Sequence, residues 1–149
     1  MRACEVMSSP VITLRPDTPV HAAAALLVSH GFTAAPVVTA EGDVAGIVTE
    51  ADLLRGRVSG AHPEPTVGAL MVSSPLVAAP GDDLADVVTL MLDRDVRTVP
   101  VVDTGRLVGI VTHRDVLRCV ARRELTSAEV WRRRMAPTPA DREEMGRSL

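Results

Sequence analysis

Apolar positions along the chain fall into two series with the same order. From Val20 to Val28 only His21 is polar, and from Leu84 to Leu92 only Asp86 and Thr89 are. Runs of this length predict helices over about residues 19–30 and 83–94. A helix that is apolar nearly all round must be covered on more than one face, either by the second series or by a second chain. Each helix is followed by a run with proline near its start, Ala35-Pro36-Val37-Val38-Thr39 and Val99-Pro100-Val101-Val102-Asp103. Both read as strands in which the missing donor is tolerated. Turns at Glu41-Gly42-Asp43 and Thr104-Gly105-Arg106 return the chain as hairpins into Val44 to Thr49 and Leu107 to Thr112. Closing helices are expected over about residues 50–57 and 113–123.

The openings match as well. Residues 2–7 and 66–71 read as helical turns that deliver Met7 and Met71 ahead of Ser9-Pro10 and Ser74-Pro75. Val11-Ile12-Thr13 and Leu76-Val77-Ala78 then read as strands too short to stand without a neighbour. Thr18, followed by Pro19, is the expected cap of the first long helix, and Asp82 that of the second. The expected fold is α/β (α+β): two tandem β-α-β-β-α motifs, residues 2–57 and 66–123, packed with pseudo-two-fold symmetry. A linker at 58–65 carries Gly60, Pro63 and Pro65, and a tail covers 124–149.

The duplication is clearest at Gly46-Ile47-Val48-Thr49-Glu50-Ala51-Asp52 and Gly109-Ile110-Val111-Thr112-His113-Arg114-Asp115. The threonines are 63 residues apart, the Pro-Val-Val triplets 64 and the Ser-Pro pairs 65. This is longer than a solenoid unit of about 20–50 residues, so it marks a duplicated supersecondary module. Thr-x-x-Asp at a helix start reads first as a capping box, contributing about 0.5–2 kcal/mol per helix. It also suits a ligand. Free amides and the positive dipole end favour a phosphate, and an acid one turn in can accept from both hydroxyls of a ribose.

Composition narrows the function classes. A net charge of −3 gives no electrostatic footprint for nucleic acid or an anionic membrane. Phe32 and Trp131, with no tyrosine, make a base-stacking platform an unsuitable reading. Cys4 and Cys119 lie far apart without a CxxC pattern and read as free thiols in a reducing cytoplasm. No leader-like segment or run of about 18 apolar residues is seen, so neither export nor membrane insertion is expected. The histidines, His21, His30, His62 and His113, show no ligand spacing. No nucleophile, base and oxyanion set assembles, so no catalytic residue and no metal site is expected.

The order Ser-Pro, strand, apolar helix, Pro-Val-Val, turn and Gly-Ile-Val-Thr-x-x-Asp, present twice over residues 2–123, resembles a tandem pair of CBS domains, the Bateman module. That resemblance implies two pseudo-symmetric clefts, an adenosyl ligand such as AMP, ADP, ATP or S-adenosylmethionine, a disc-like homodimer and a regulatory rather than catalytic role. It further implies that Asp52 and Asp115 hold ribose hydroxyls and that Thr49 and Thr112 contact ribose or phosphate. Adenine is expected beside Ile12, Thr13, Ala35 and Val37 in one copy, and beside Val77, Ala78, Val99 and Val101 in the other. Ordinary core packing is the alternative for these apolar residues.

The copies differ in charge. Arg97, His113 and Arg114 of the second copy suit phosphate oxygens, whereas the first has Thr33, Glu50 and Ala51 at the matching positions. The expectation is that Arg97, Arg114 and Asp115 bind a phosphorylated ligand, while the other cleft is empty or takes a less anionic one. In the tail, Thr126-Ser127-Ala128-Glu129 predicts a capped short helix through Trp131, Arg132-Arg133-Arg134 and Met135, read first as an aromatic packed on the domain with solvated arginines and alternatively as a docking site for a partner or an anionic ligand. The two functional readings are a stand-alone, cytoplasmic, dimeric adenosyl sensor and a ligand-independent interaction module whose partner is an unidentified protein.

Overall fold

The structure is a computed structural model that describes residues 1–9, 11–58 and 63–125. The expected tail helix at Thr126–Met135 and the middle of the linker lie outside the described residues. In chain order the elements are α1 (Ala3–Val6), α2 (Val20–His30), β1 (Ala34–Val38), β2 (Val44–Thr49) and α3 (Glu50–Val58). The second copy follows with α4 (Val67–Leu70), β3 (Val72–Ser73), α5 (Leu84–Asp93), β4 (Thr98–Asp103), β5 (Arg106–Thr112) and α6 (His113–Ala121). Antiparallel pairs β1–β2 and β4–β5 share one register pattern, with Ala34 opposite Thr49 and Thr98 opposite Thr112. The expected strands at 11–13 and 76–78 are reduced to single parallel bridges, Leu14 with Val37 and Ala78 with Val101.

The opening turns are exchanged between the copies. Val72 and Ser73, from the second copy, extend the first copy's sheet by pairing with Ile47 and Gly46. Ser8, from the first copy, pairs with Ile110 of the second. Burial follows the same rule. Ala3 belongs to the core formed by Leu84, Val88, Met91, Val99 and Val111, and Val67 to the core of Leu14, Leu27, Val37, Val48 and Leu53. Backbone bonds fix the exchange: Leu84 N–H donates to Met1 O at 2.8 Å and Val20 N–H to Pro65 O at 3.2 Å. Neither core is complete without a helical turn from the other copy.

This exchange explains the glycine that opens each Gly-Ile-Val-Thr segment. A methyl group on Gly46 would meet the Val72 carbonyl oxygen at 2.6 Å and Met71 Sδ at 2.7 Å, and one on Gly109 would meet the side chain of Met7. The methionine before each Ser-Pro therefore lies on the glycine of the opposite copy.

Two helix starts differ from expectation. Thr18 does not cap α2; its hydroxyl accepts from Arg15 N–H, and Pro19 is the extended N-cap residue. The α2 start is held by Glu64 of the linker, which accepts from His21 N–H at 2.9 Å. In the second copy Asp83, not Asp82, caps α5 by accepting from Ala85 N–H, while Asp82 closes the preceding turn on Ala79 N–H. Where two adjacent acids precede a helix, the one-residue assignment depends on the turn before it.

Cys119 lies in the second core at 4% exposure. Burial pushes its thiol up, Glu124 and Asp115 add to the effect, and Arg122 opposes it. The chain has no lysine and no tyrosine, whose titration would overlap that of a thiol. A raised native pKa means that the folded state holds the proton more tightly. The associated stability is present below the ordinary thiol pKa and is lost as pH rises through the native one. Unfolding free energy from urea titrations should therefore fall with alkaline pH, and Cys119→Ala should flatten that fall. In the same assay at neutral pH, Gly46→Ala should cost about 1–3 kcal/mol, more than Gly109→Ala, because a backbone carbonyl cannot swing aside as the Met7 side chain can. Equal stability of the two alanine variants would contradict the packing account.

Candidate functional site

Both Thr-x-x-Asp segments are capping boxes. Asp52 Oδ2 accepts from Thr49 N–H at 2.9 Å and Thr49 Oγ1 from Asp52 N–H at 3.2 Å. Asp115 and Thr112 repeat both bonds at the same distances. The two aspartates are 7% and 5% exposed, and each is held by an arginine one turn on, Arg55 and Arg118. The full repeated motif is thus Thr-x-x-Asp-x-x-Arg. It was legible in both copies, and its arginines were not among the expected site residues.

The carboxylates are not equally engaged. Asp115 Oδ2 also accepts from Thr112 Oγ1 at 3.0 Å, and Asp115 Oδ1 accepts from Ser8 Oγ at 3.1 Å as well as from Arg118. A carboxylate offers about four acceptor positions, so Asp115 is saturated and a ribose would have to displace Ser8 or Arg118. Asp52 has two such bonds among the described residues. The position matching Ser8 is Val72, which has no side-chain donor.

Each aspartate opens onto a cleft. The larger, about 680 Å³, is lined by Ser8, Val11, Ile12, the segment 31–34, Asp95, Arg97, Thr98, Ile110, the segment 112–115 and Arg118. The smaller, about 480 Å³, is lined by Thr33, Ala34, Ile47, the segment 49–52, Val72, Pro75, Leu76 and the segment 95–98. Both are composite. The chain leaving Ser8 crosses the cleft of Asp115, and the chain leaving Val72 crosses that of Asp52, as the exchanged opening turns require.

This geometry corrects several expectations. Ile12 faces the cleft of Thr112, His113, Arg114 and Asp115, not that of Thr49 and Asp52. Thr13 lines neither, lying in a separate depression with Val38 and Leu107. Ala35, Val37, Ala78, Val99 and Val101 are at most 4% exposed and belong to the cores, so they line neither cleft. Val77 is 44% exposed and also lines neither. The residues that do face the clefts from the proline strands are their first ones, Ala34 and Thr98, beside the capping threonines. Arg97 lines both clefts rather than one.

His113 adds a feature that charge alone did not indicate. Its backbone N–H donates to Arg97 O at 3.0 Å, and its ring Nε2, in the wall of the larger cleft, is buried without a hydrogen-bond partner among the described residues. A buried ring nitrogen left unpaired costs free energy, and a polar ligand group could relieve that cost.

Comparison with known proteins gives the family. The CBS domain model matches twice, at residues 3–59 and 67–122. Over 114 residues the chain is 31% identical to the uncharacterized protein MJ1225 of Methanocaldococcus jannaschii, covering 76% of this chain but 41% of that protein. Among solved structures it is similar to CBSX2 in complex with AMP, at a TM-score of 0.74 and 31% identity over 83% of this chain and 98% of the other. It is also similar to the CBS domain pair of protein MJ0100 in complex with 5-methylthioadenosine and S-adenosyl-L-methionine, at a TM-score of 0.75 and 27% identity over the same shares. The two matched segments, the repeated Thr-x-x-Asp caps and the paired sheets together place this chain in the CBS domain family, as a tandem CBS pair.

Proposed function

We propose that this CBS pair is a regulatory module that binds an adenosyl compound, AMP, ADP, ATP or S-adenosylmethionine, in its two composite clefts. The observation that carries the reading is that each cleft joins residues from the opening of one copy, Ser8, Val11 and Ile12 or Val72, Pro75 and Leu76, to the capped helix start and aspartate of the other. The similarity to CBS pairs complexed with AMP and with S-adenosyl-L-methionine supports the same ligand class. Ribose hydroxyls would be read by Asp52 or Asp115, and phosphate by the amides of α3 or α6 with Arg97 and Arg114. A ligand held by both copies favours the arrangement in which they close on it, and it shifts that equilibrium only by its differential affinity for the two states.

The module acts as a homodimer in this reading. Val28 of α2 is 82% exposed, Leu54 of α3 66%, Leu92 of α5 53% and Leu117 of α6 63%, so the long helices present apolar side chains that the fold leaves uncovered. The two thiols are free and suit a reducing, cytoplasmic setting. No helix among the described residues is long and apolar enough to cross a membrane. The second reading, a ligand-independent interaction module, draws support from the saturated hydrogen bonding of Asp115, which needs no ligand to complete it.

Thermal melting separates the two. Ligand at 100 times its Kd adds about 2.7 kcal/mol, which at about 2–4 °C per kcal/mol is readily seen. AMP or S-adenosylmethionine should raise Tm, and the rise should shrink in Asp52→Ala or Asp115→Ala, each compared with its own unliganded baseline. No rise with millimolar ligand would leave the interaction module. In sedimentation velocity the chain should run as a dimer, and Leu54→Asp with Leu117→Asp should make it a monomer. A monomeric parent chain would remove the dimer from the account.

A further inference from the structure

The two clefts share Thr33 and Ala34 of the first copy and Asp95, Arg97 and Thr98 of the second, the last three lying where α5 leads into β4. Arg97 lines both clefts, its side chain is exposed, and it makes no ion pair or side-chain hydrogen bond among the described residues. Its backbone is pinned by the His113 N–H, so the long side chain alone decides which cleft receives the guanidinium. Among the smaller cleft's lining residues Arg97 is the one cation, set among Glu50 and Asp95, whose side chains make no ion pair or hydrogen bond among the described residues, and Asp52, already neutralised by Arg55. The larger cleft shares Asp95 and Arg97 and adds Arg114, His113 and the Asp115–Arg118 pair.

Resting on the adenosyl-binding reading above, we infer that Arg97 is a cation shared between the clefts, so that the two take adenosyl ligands of opposite charge. A phosphorylated ligand in the larger cleft, with Arg114 on one side and the free Nε2 of His113 on the wall, draws the Arg97 guanidinium toward its oxygens, for which a planar fork of donors is suited. The smaller cleft is then left with its own Glu50 and the shared Asp95 without a compensating charge. Within a Debye length of about 8 Å that field disfavours a second phosphate and favours a cation. The ligand class that combines adenosine with positive charge is a sulfonium such as S-adenosylmethionine. Occupancy of one cleft therefore strengthens the other for the oppositely charged ligand, and by linkage the effect is mutual.

Isothermal titration of the full chain tests this with AMP and S-adenosylmethionine as probes. Each should bind one equivalent in the presence of the other without displacement. Saturating AMP should tighten S-adenosylmethionine by about fivefold, the lower end of typical coupling. Arg97→Ala should abolish that tightening, and Glu50→Gln should weaken S-adenosylmethionine several-fold while leaving AMP unchanged. Mutual displacement of the two ligands, or coupling that persists in Arg97→Ala, would overturn the shared-cation inference and leave the adenosyl reading standing. Binding of neither ligand would overturn both.

Discussion

The fold depends on the exchange of opening turns between its two copies. Each copy builds a hairpin and two helices, yet its core stays open until Ala3 or Val67 arrives from the other copy. The contact is specific because a methionine side chain lies where a residue on the strand has no side chain, Met7 on Gly109 and Met71 on Gly46. Two modules fastened in this way cannot be pulled apart without exposing both cores. Small changes in their relative position are then felt at the segments that join them, and those segments form the cleft walls.

The same constraint explains which parts of the site could be read from the sequence and which could not. The Thr-x-x-Asp caps were legible because their bonds are local, spanning three residues within one copy. The helices and hairpins were legible for the same reason, through the run of Val20–Val28, apolar but for His21, and the glycine turns that follow each proline strand. The partnership of Ile12 with Asp115 was not legible. It depends on a crossing between residues more than 100 positions apart, and a reading by copy assigns Ile12 to Asp52. The strand residues Val37 and Val101 were expected near adenine but lie in the cores. Alternation alone could not say which residue of Ala34-Ala35-Pro36 ends at the cleft, since that is fixed by pairing with Thr49.

The polar groups serve stability and binding at once, and the two uses compete. Asp115 caps α6, anchors Arg118 and fixes Ser8 of the other copy, so it already ties the modules together across the larger cleft. A ligand that takes over its Oδ1 would exchange one tie between copies for another that runs through the ligand. Asp52 lacks the serine tie, and its cleft holds fewer cations. The sequence duplication therefore produced one geometry twice with different charge, which is the condition for two sites that discriminate between ligands.

The central claim is that ligand is held between the copies, and hydrogen–deuterium exchange on the full chain with and without AMP tests it most directly. Backbone amides at Val11 and Ile12 of the first copy and at Thr112 to Asp115 of the second should gain protection together, since these residues line one cleft. Protection confined to segments of a single copy, or none at saturating AMP, would contradict the account.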